Sequence, residues 1–200
     1  MIEKNTELKI IEAARKVFLV RGYSGARMQD IADEAGINKA MLHYYFRNKD
    51  KLFESIFSES VNNIRDIFSQ SLNSEKEIDN TLINFIATYS EFIKNNRYLP
   101  SFIINEMQQG SEMVEDLFKK NIKMYPIEFI KKLKKEQSLG TLEKYDPLQI
   151  IVSIIGLCLF PVLAQPVLKI LFDYDDNKYD KFLTERVAFL QKFIIKGLKK

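Results

Sequence analysis

MQDIADEAGINKAMLHYY, Met28 to Tyr45, is the stretch on which the reading of this chain turns. Met28, Ile31, Ala32 and Ala35 fall on one face of a short helix. Gly36 stands where a helix stops in the left-handed conformation, and Ile37 can supply the hydrophobic contact that accompanies such a stop. Asn38 is a cap for the next segment, KAMLHYYF, which runs only about two turns before Asn48 caps another helix. Two short helices joined by a glycine-containing turn make a helix-turn-helix signal.

Outward from this stretch the apolar spacing stays helical. Thr6 is a plausible N-cap, followed by Ile10, Ile11, Ala14, Val17 and Phe18 as one buried stripe, with Gly22 ending the helix. YSGAR is a short loop. After Asn48, the residues Leu52, Phe53, Ile56, Phe57, Val61, Ile64, Ile67 and Phe68 predict a helix over 49–72. Ser74 with Glu77 reads as a capping box before a helix that ends at Asn95-Asn96. A shorter helix is expected over 98–109, stopped by Gly110, and a long one over 112–137, kinked or broken at Pro126. Asp146-Pro147 is a strong start signal for an apolar helix reaching about Ala164, and Tyr179 to Gly197 reads as a last amphipathic helix. The fold class is therefore all-α, with about nine helices. A small module over 1–50 holds the motif at 27–46, and a larger helical domain occupies 51–200.

Composition agrees. Seven Gly and five Pro in 200 residues are too few for the turns of an all-β protein. Net charge is only +3, but Lys39, Arg47, Lys49 and Lys51 stand against Asp50 alone in the stretch 39–51. One His and one Cys leave no ligand set for most metal clusters and make a His-based triad improbable. No glycine-rich phosphate loop occurs, so neither an enzyme nor a cofactor is expected. Cys158 lies in an apolar run and reads as a buried, reduced thiol. The N-terminus is charged and lacks the apolar region of a secretory signal, which suggests the cytoplasm. Ile150 to Phe172 is long enough to span a membrane, but Pro161 and Pro166 interrupt it, so burial in a core or a dimer interface is expected instead.

RGYSGARMQDIADEAGINKAMLHYYFRNKDKLF, Arg21 to Phe53, resembles the TetR (tetracycline-repressor) family of bacterial transcription regulators. The matching positions are Gly22-Tyr23, Asp30-Ile31-Ala32, Ala35-Gly36-Ile37, Leu42, Tyr45-Phe46, Asn48-Lys49 and Leu52. Arg27 departs from the Ser or Thr that usually caps the second helix, and His43 stands where Tyr is common. The resemblance implies double-stranded operator DNA as partner and backbone contacts from His43, Tyr44, Tyr45 and Lys49. The residues alone support the reading face. Ile37, Leu42 and Phe46 pack inward, while Lys39 can donate to guanine and Ala40 can approach a thymine methyl in a groove about 12 Å wide. Arg27, Met28 and Gln29 open the second helix, where Arg27 can reach a phosphate and Gln29 an adenine. A polar surface role for His43 and a core role for Tyr44 are the competing readings.

The resemblance further implies a homodimer through the helices 147–164 and 179–196, and an unidentified small-molecule effector. Tyr89, Phe92, Phe102, Met107, Phe118, Met124, Tyr125 and Phe129 are the candidate pocket residues, with plain core packing as the alternative for each. An apolar or aromatic ligand is the implication, and a regulator answering to a protein partner or acting as an activator is the second reading. The lysine-rich tail of the 112–137 helix reads as a solvated face.

Overall fold

The computed structural model describes residues 2–72, 77–122 and 127–200. Regular structure among them is helical: α1 (Ile2–Gly25), α2 (Met28–Ala35), α3 (Lys39–Tyr45), α4 (Lys49–Leu72), α5 (Ile78–Asn95), α6 (Leu99–Gln108), α7 (Glu112–Asn121), α8 (Ile127–Leu139), α9 (Pro147–Leu163), α10 (Gln165–Phe172) and α11 (Asp176–Leu198). One isolated antiparallel bridge joins Leu142 to Lys199.

These eleven helices correct the expected nine. The helix foreseen over 112–137 is two, α7 and α8, and α10 is an addition. Pro126 and Ser74, to which a break and a capping box were assigned, lie outside the described residues. Thr6 does not cap α1, which starts at Ile2, because nothing in IEKN is a strong helix breaker. α11 starts at Asp176 and not at Tyr179, since Asp175 accepts the Lys178 N–H at 2.7 Å and caps it.

The chain forms two compact units, residues 1–64 with 98–123 and residues 65–97 with 124–200. In the first, Ile10, Ala14, Phe18, Ile31, Leu42, Phe53, Phe57 and Phe102 are buried. Phe53 is a hub: its ring meets Phe18 edge-on at 5.3 Å and stacks on Phe57 at 5.5 Å. In the second, Leu82, Phe85, Ile86, Tyr89, Phe129, Leu133, Ile154 and Leu190 share one core.

The prolines of α9 and α10 shape the second unit. Pro161 has no N–H, so the Leu157 carbonyl four residues back loses its helical donor. Arg186 of α11 replaces it, donating from Nε at 3.2 Å and Nη2 at 3.0 Å. The buried Tyr179 hydroxyl donates to the Pro161 carbonyl at 2.5 Å. The two helices meet at a bend of 71°, and no single described helix is long and apolar enough to cross a membrane. Cys158 is buried, as expected, and burial pushes its thiol above the usual range.

Removing the guanidinium in Arg186→Leu leaves the Leu157 carbonyl without its donor and should cost about 1–3 kcal/mol in urea unfolding. Adding Pro161→Ala restores a backbone N–H at that turn and should recover part of the loss. Equal stability of Arg186→Leu and the parent would contradict this account of the α9 carbonyl.

Candidate nucleic-acid interface

The interface is built from the end of α1. Gly22 adopts φ 67°, ψ 178°, a backbone region essentially restricted to glycine, and the helical path of α1 breaks there as its sequence position suggested. The turn that follows is held from α4. Lys49 Nζ donates to the Tyr23 carbonyl at 2.8 Å and to the Ala26 carbonyl at 3.2 Å. The same ammonium lies 4.2 Å from the centroid of the Tyr23 ring. The Tyr23 hydroxyl donates to Asp50 Oδ1 at 2.5 Å, and its pKa is pushed up to about 12 by that hydrogen bond, by burial and by the Asp50 charge. The Tyr23 ring also meets Phe53 edge-on at 4.9 Å.

α2 then begins without a side-chain cap from Arg27, since a guanidinium offers no acceptor. Asp30 instead accepts the Arg27 backbone N–H at 3.2 Å and pairs with Arg21 at 2.6 Å. The stop of α2 follows its sequence signature. Gly36 is left-handed at φ 67°, and the Ile37 N–H reaches back to the Ala32 carbonyl at 3.0 Å. Asn38 Oδ1 accepts the Met41 N–H at 2.8 Å, and Asn48 Oδ1 accepts the Lys51 N–H at 3.0 Å. A spacing of two caps and one left-handed glycine thus fixes where α3 begins and ends.

Leu42 is fully buried and Ile37 and Phe46 are partly so, which gives α3 its packing face. Its other face carries Lys39, Ala40, His43 and Tyr44 in the open, with Tyr44 77% exposed and its ring edge-on to Tyr45 at 5.3 Å. That exposure removes the core reading of Tyr44. His43 Nδ1 lies 3.3 Å from the Arg47 carbonyl, and Tyr45 is half-buried. Arg27 and Gln29 are exposed at the start of α2, with Met28 half-buried between them. The Gln29 amide donates to Asp33 Oδ1 at 2.7 Å, which takes up one of its two N–H groups. Lys49 is the residue placed differently from expectation: its ammonium turns inward to the carbonyls of the α1–α2 turn. The exposed cations here include Arg27, Lys39, Arg47 and Lys51, beside the Arg21 that pairs with Asp30.

The roles of Tyr23 and Asp50 in this clamp were not visible in the sequence. A Gly-Tyr pair and an Asn-Lys pair at matching positions were the only signal, and they named residues without naming a contact. Of the candidate pocket residues, Phe102, Met107 and Phe118 belong to the first unit and Tyr89, Phe92 and Phe129 to the second, while Met124 and Tyr125 lie outside the described residues. Phe102 packs on Phe53 and Phe57 at 5.9 Å each, and Tyr89 stacks on Phe85 at 5.7 Å. Phe129 is fully buried.

This is the geometry of a helix-turn-helix DNA-binding domain, with α3 as the presented helix. Residues 10–56 match the family described as bacterial regulatory proteins, tetR family. The match spans the helix-turn-helix and the helices on either side of it, about a quarter of the chain. The chain is 27% identical over 115 residues to the probable HTH-type transcriptional regulator YttP of Bacillus subtilis, covering 56% of each protein. Among solved structures it is similar to HlyIIR, a hemolysin II transcriptional regulator, with 25% identity, 98% of both chains covered and a TM-score of 0.67. It shares its fold with the Bacillus subtilis regulator FadR, solved in complex with stearoyl-CoA, at 20% identity, 95% and 98% coverage and a TM-score of 0.64.

Lys39→Ala and Lys49→Ala should separate reading from scaffolding. Lys49→Ala strips two carbonyls of a charged donor in a partly exposed turn and should cost about 1–2 kcal/mol in chemical unfolding, whereas Lys39→Ala should be neutral. In selection from random duplexes, Lys39→Ala should relax preference at one base pair and Lys49→Ala should leave the preferred sequence unchanged. Reversed outcomes would sink this division of roles.

Proposed function

We propose that this protein is a transcriptional regulator that binds operator DNA as a homodimer and represses until an apolar or aromatic small molecule releases it. The observation that carries the reading is the outer face of α3, where a cation, a small side chain, an imidazole and a tyrosine ring stand exposed, with Tyr45 half-buried beside them, on a helix anchored by Leu42. A helix of this width fits the major groove, with Lys39 and Ala40 toward base edges and Gln29 nearby. Arg27, His43, Tyr44 and Tyr45, with Met28 beside them, would hold the sugar-phosphate backbone and fix register. Lys49 would act there through the turn it clamps, or through its third N–H.

A second copy of the chain is the reading for the apolar faces of the larger unit. Leu148, Val152, Phe160 and Leu163 line the exposed side of α9, and Phe189 and Phe193 stack at 5.6 Å on α11. A groove of about 730 Å³ runs beside them, lined by Gln149, Ile150, Ser153, Phe193 and Ile194. Exposed apolar side chains gathered on these two helices support that reading. Two copies would also bring two α3 helices to half-sites about 34 Å apart.

The effector reading rests on the aromatic and methionine content of the middle helices. Tyr89, Phe92 and Phe129 would be the candidates for a ligand in the larger unit, and Phe102, Met107 and Phe118 those in the unit that carries the helix-turn-helix. FadR holding stearoyl-CoA in the same fold makes an apolar ligand compatible with it. By linkage, operator DNA must weaken that ligand by the same factor by which the ligand weakens DNA. The place of action would be the cytoplasm, where operator DNA lies.

Selection from random duplexes should yield a palindromic site, and log affinity for it should fall with log salt at about −0.9 per phosphate contact. A flat salt response would defeat the reading. In light scattering at micromolar concentration the protein should be a dimer without detergent, and Phe160→Asp with Val152→Asp should make it a monomer that no longer binds the palindrome tightly. A monomeric parent would remove the dimer from the proposal.

A further inference from the structure

We propose that Glu106 is a positioning residue for the helix-turn-helix, the group through which α6 sets how α3 is presented; this rests on the DNA-binding reading above. Glu106 is only 2% exposed, yet it carries a carboxylate. Among the described residues no cation pairs with it. A buried charge is costly unless something compensates it, and here the compensation is a backbone donor from the joint of the reading head. Glu106 Oε1 accepts the Tyr23 N–H at 2.8 Å, across 83 positions of sequence. That N–H is available because Gly22 has left the helical path and turned it away from its acceptor inside α1.

Two constraints therefore meet at one residue. The φ and ψ of Gly22 lie where side chains are strongly disfavoured, and a Cβ added there would sit 2.7 Å from Glu106 Oε1. Any other residue at position 22 would strain the backbone and push the carboxylate off Tyr23. One turn earlier on α6, Phe102 packs on Phe53 and Phe57 of α4. α6 thus grips the turn before α2 by a charge-assisted hydrogen bond and the root of α4 by aromatic packing. Lys49 and Asp50 hold the same turn from the other side. A shift of α6 along its axis moves the Glu106 carboxylate and with it the entry of α2.

The test compares the full-length parent, Glu106→Gln and Glu106→Leu on a duplex selected by the parent and on a scrambled duplex, with melting temperature and amide exchange at Tyr23 measured on each. Gln keeps an acceptor and should stay within about threefold of the parent, while Leu should lose about tenfold or more on the selected duplex only. Glu106→Leu gives up a buried charge but also strips the Tyr23 N–H of its acceptor, so its melting temperature should stay within a few degrees of the parent while its Tyr23 amide exchanges faster. A Leu variant that binds the selected duplex like the parent overturns the proposal. So does a loss on both duplexes that tracks a lowered melting temperature. Should Glu106→Leu not fold, Glu106→Gln with a Tyr23 amide as exposed to exchange as in an unfolded chain would overturn it equally. A parent that selects no duplex at all would instead sink the DNA-binding reading, and Tyr23 exchange would still report on the contact itself.

Discussion

The ammonium of Lys49, lodged between the carbonyls of Tyr23 and Ala26, closes the turn from which the rest of the reading head is built. The connection between α1 and α2 has few hydrogen bonds of its own, because Gly22 breaks the helix and Arg27 cannot cap the next one. Its carbonyls point to Lys49, its one long-range N–H contact to Glu106, and its tyrosine packs on Phe53 while donating to Asp50. A charged donor satisfies two acceptors in one small volume, so the turn is fixed without regular structure. α2 and α3 inherit their placement from it. Lysine suits this task because its ammonium is compact and carries three donors on a flexible stem.

Much of this was legible in the sequence where the controlling chemistry is local. Gly36, Asn38, Asn48 and Asp146 each act within four residues, and each does in the structure what its type and position suggest. The all-α class followed from apolar spacing that never left the helical period. The buried Leu42 follows from the same spacing applied to α3, whereas the spacing left Tyr44 open between core and surface and the structure places it in solvent. What could not be read depends on partners far along the chain. Glu106 reaches Tyr23, Lys49 reaches back to Ala26, and Arg186 reaches Leu157, and no local pattern encodes those meetings. Thr6 misled because a good capping residue does not end a helix when nothing before it opposes one.

The second unit follows the same logic with prolines in place of a glycine. Pro161 costs α9 a hydrogen bond, and Arg186 and Tyr179 return donors to the carbonyls around the break. The apolar segment, long enough to suggest a membrane, is cut at Ala164, just before Pro166, into two helices bent by 71°. One side of α9 enters the core through Ile150, Ile151, Ile154 and Cys158. The other leaves Val152 and Phe160 in the open, and α10 adds Val167, Ile170 and Leu171. Such a split is what a helix needs if it serves a core and an interface at once. Two of the aromatic residues suspected of lining a pocket are already engaged, Tyr89 with Phe85 and Phe102 with Phe53, so a ligand beside either must displace ring contacts that now stabilise the fold.

The central claim is that α3 reads base edges in the major groove. Methylation interference on a duplex selected by the protein tests it directly, because guanine N7 lies in that groove. The account predicts two clusters of interfering guanines, related by dyad symmetry and centred about 10 base pairs or a multiple apart. Binding undisturbed by N7 methylation, with interference confined to adenine N3 in the minor groove, would contradict it.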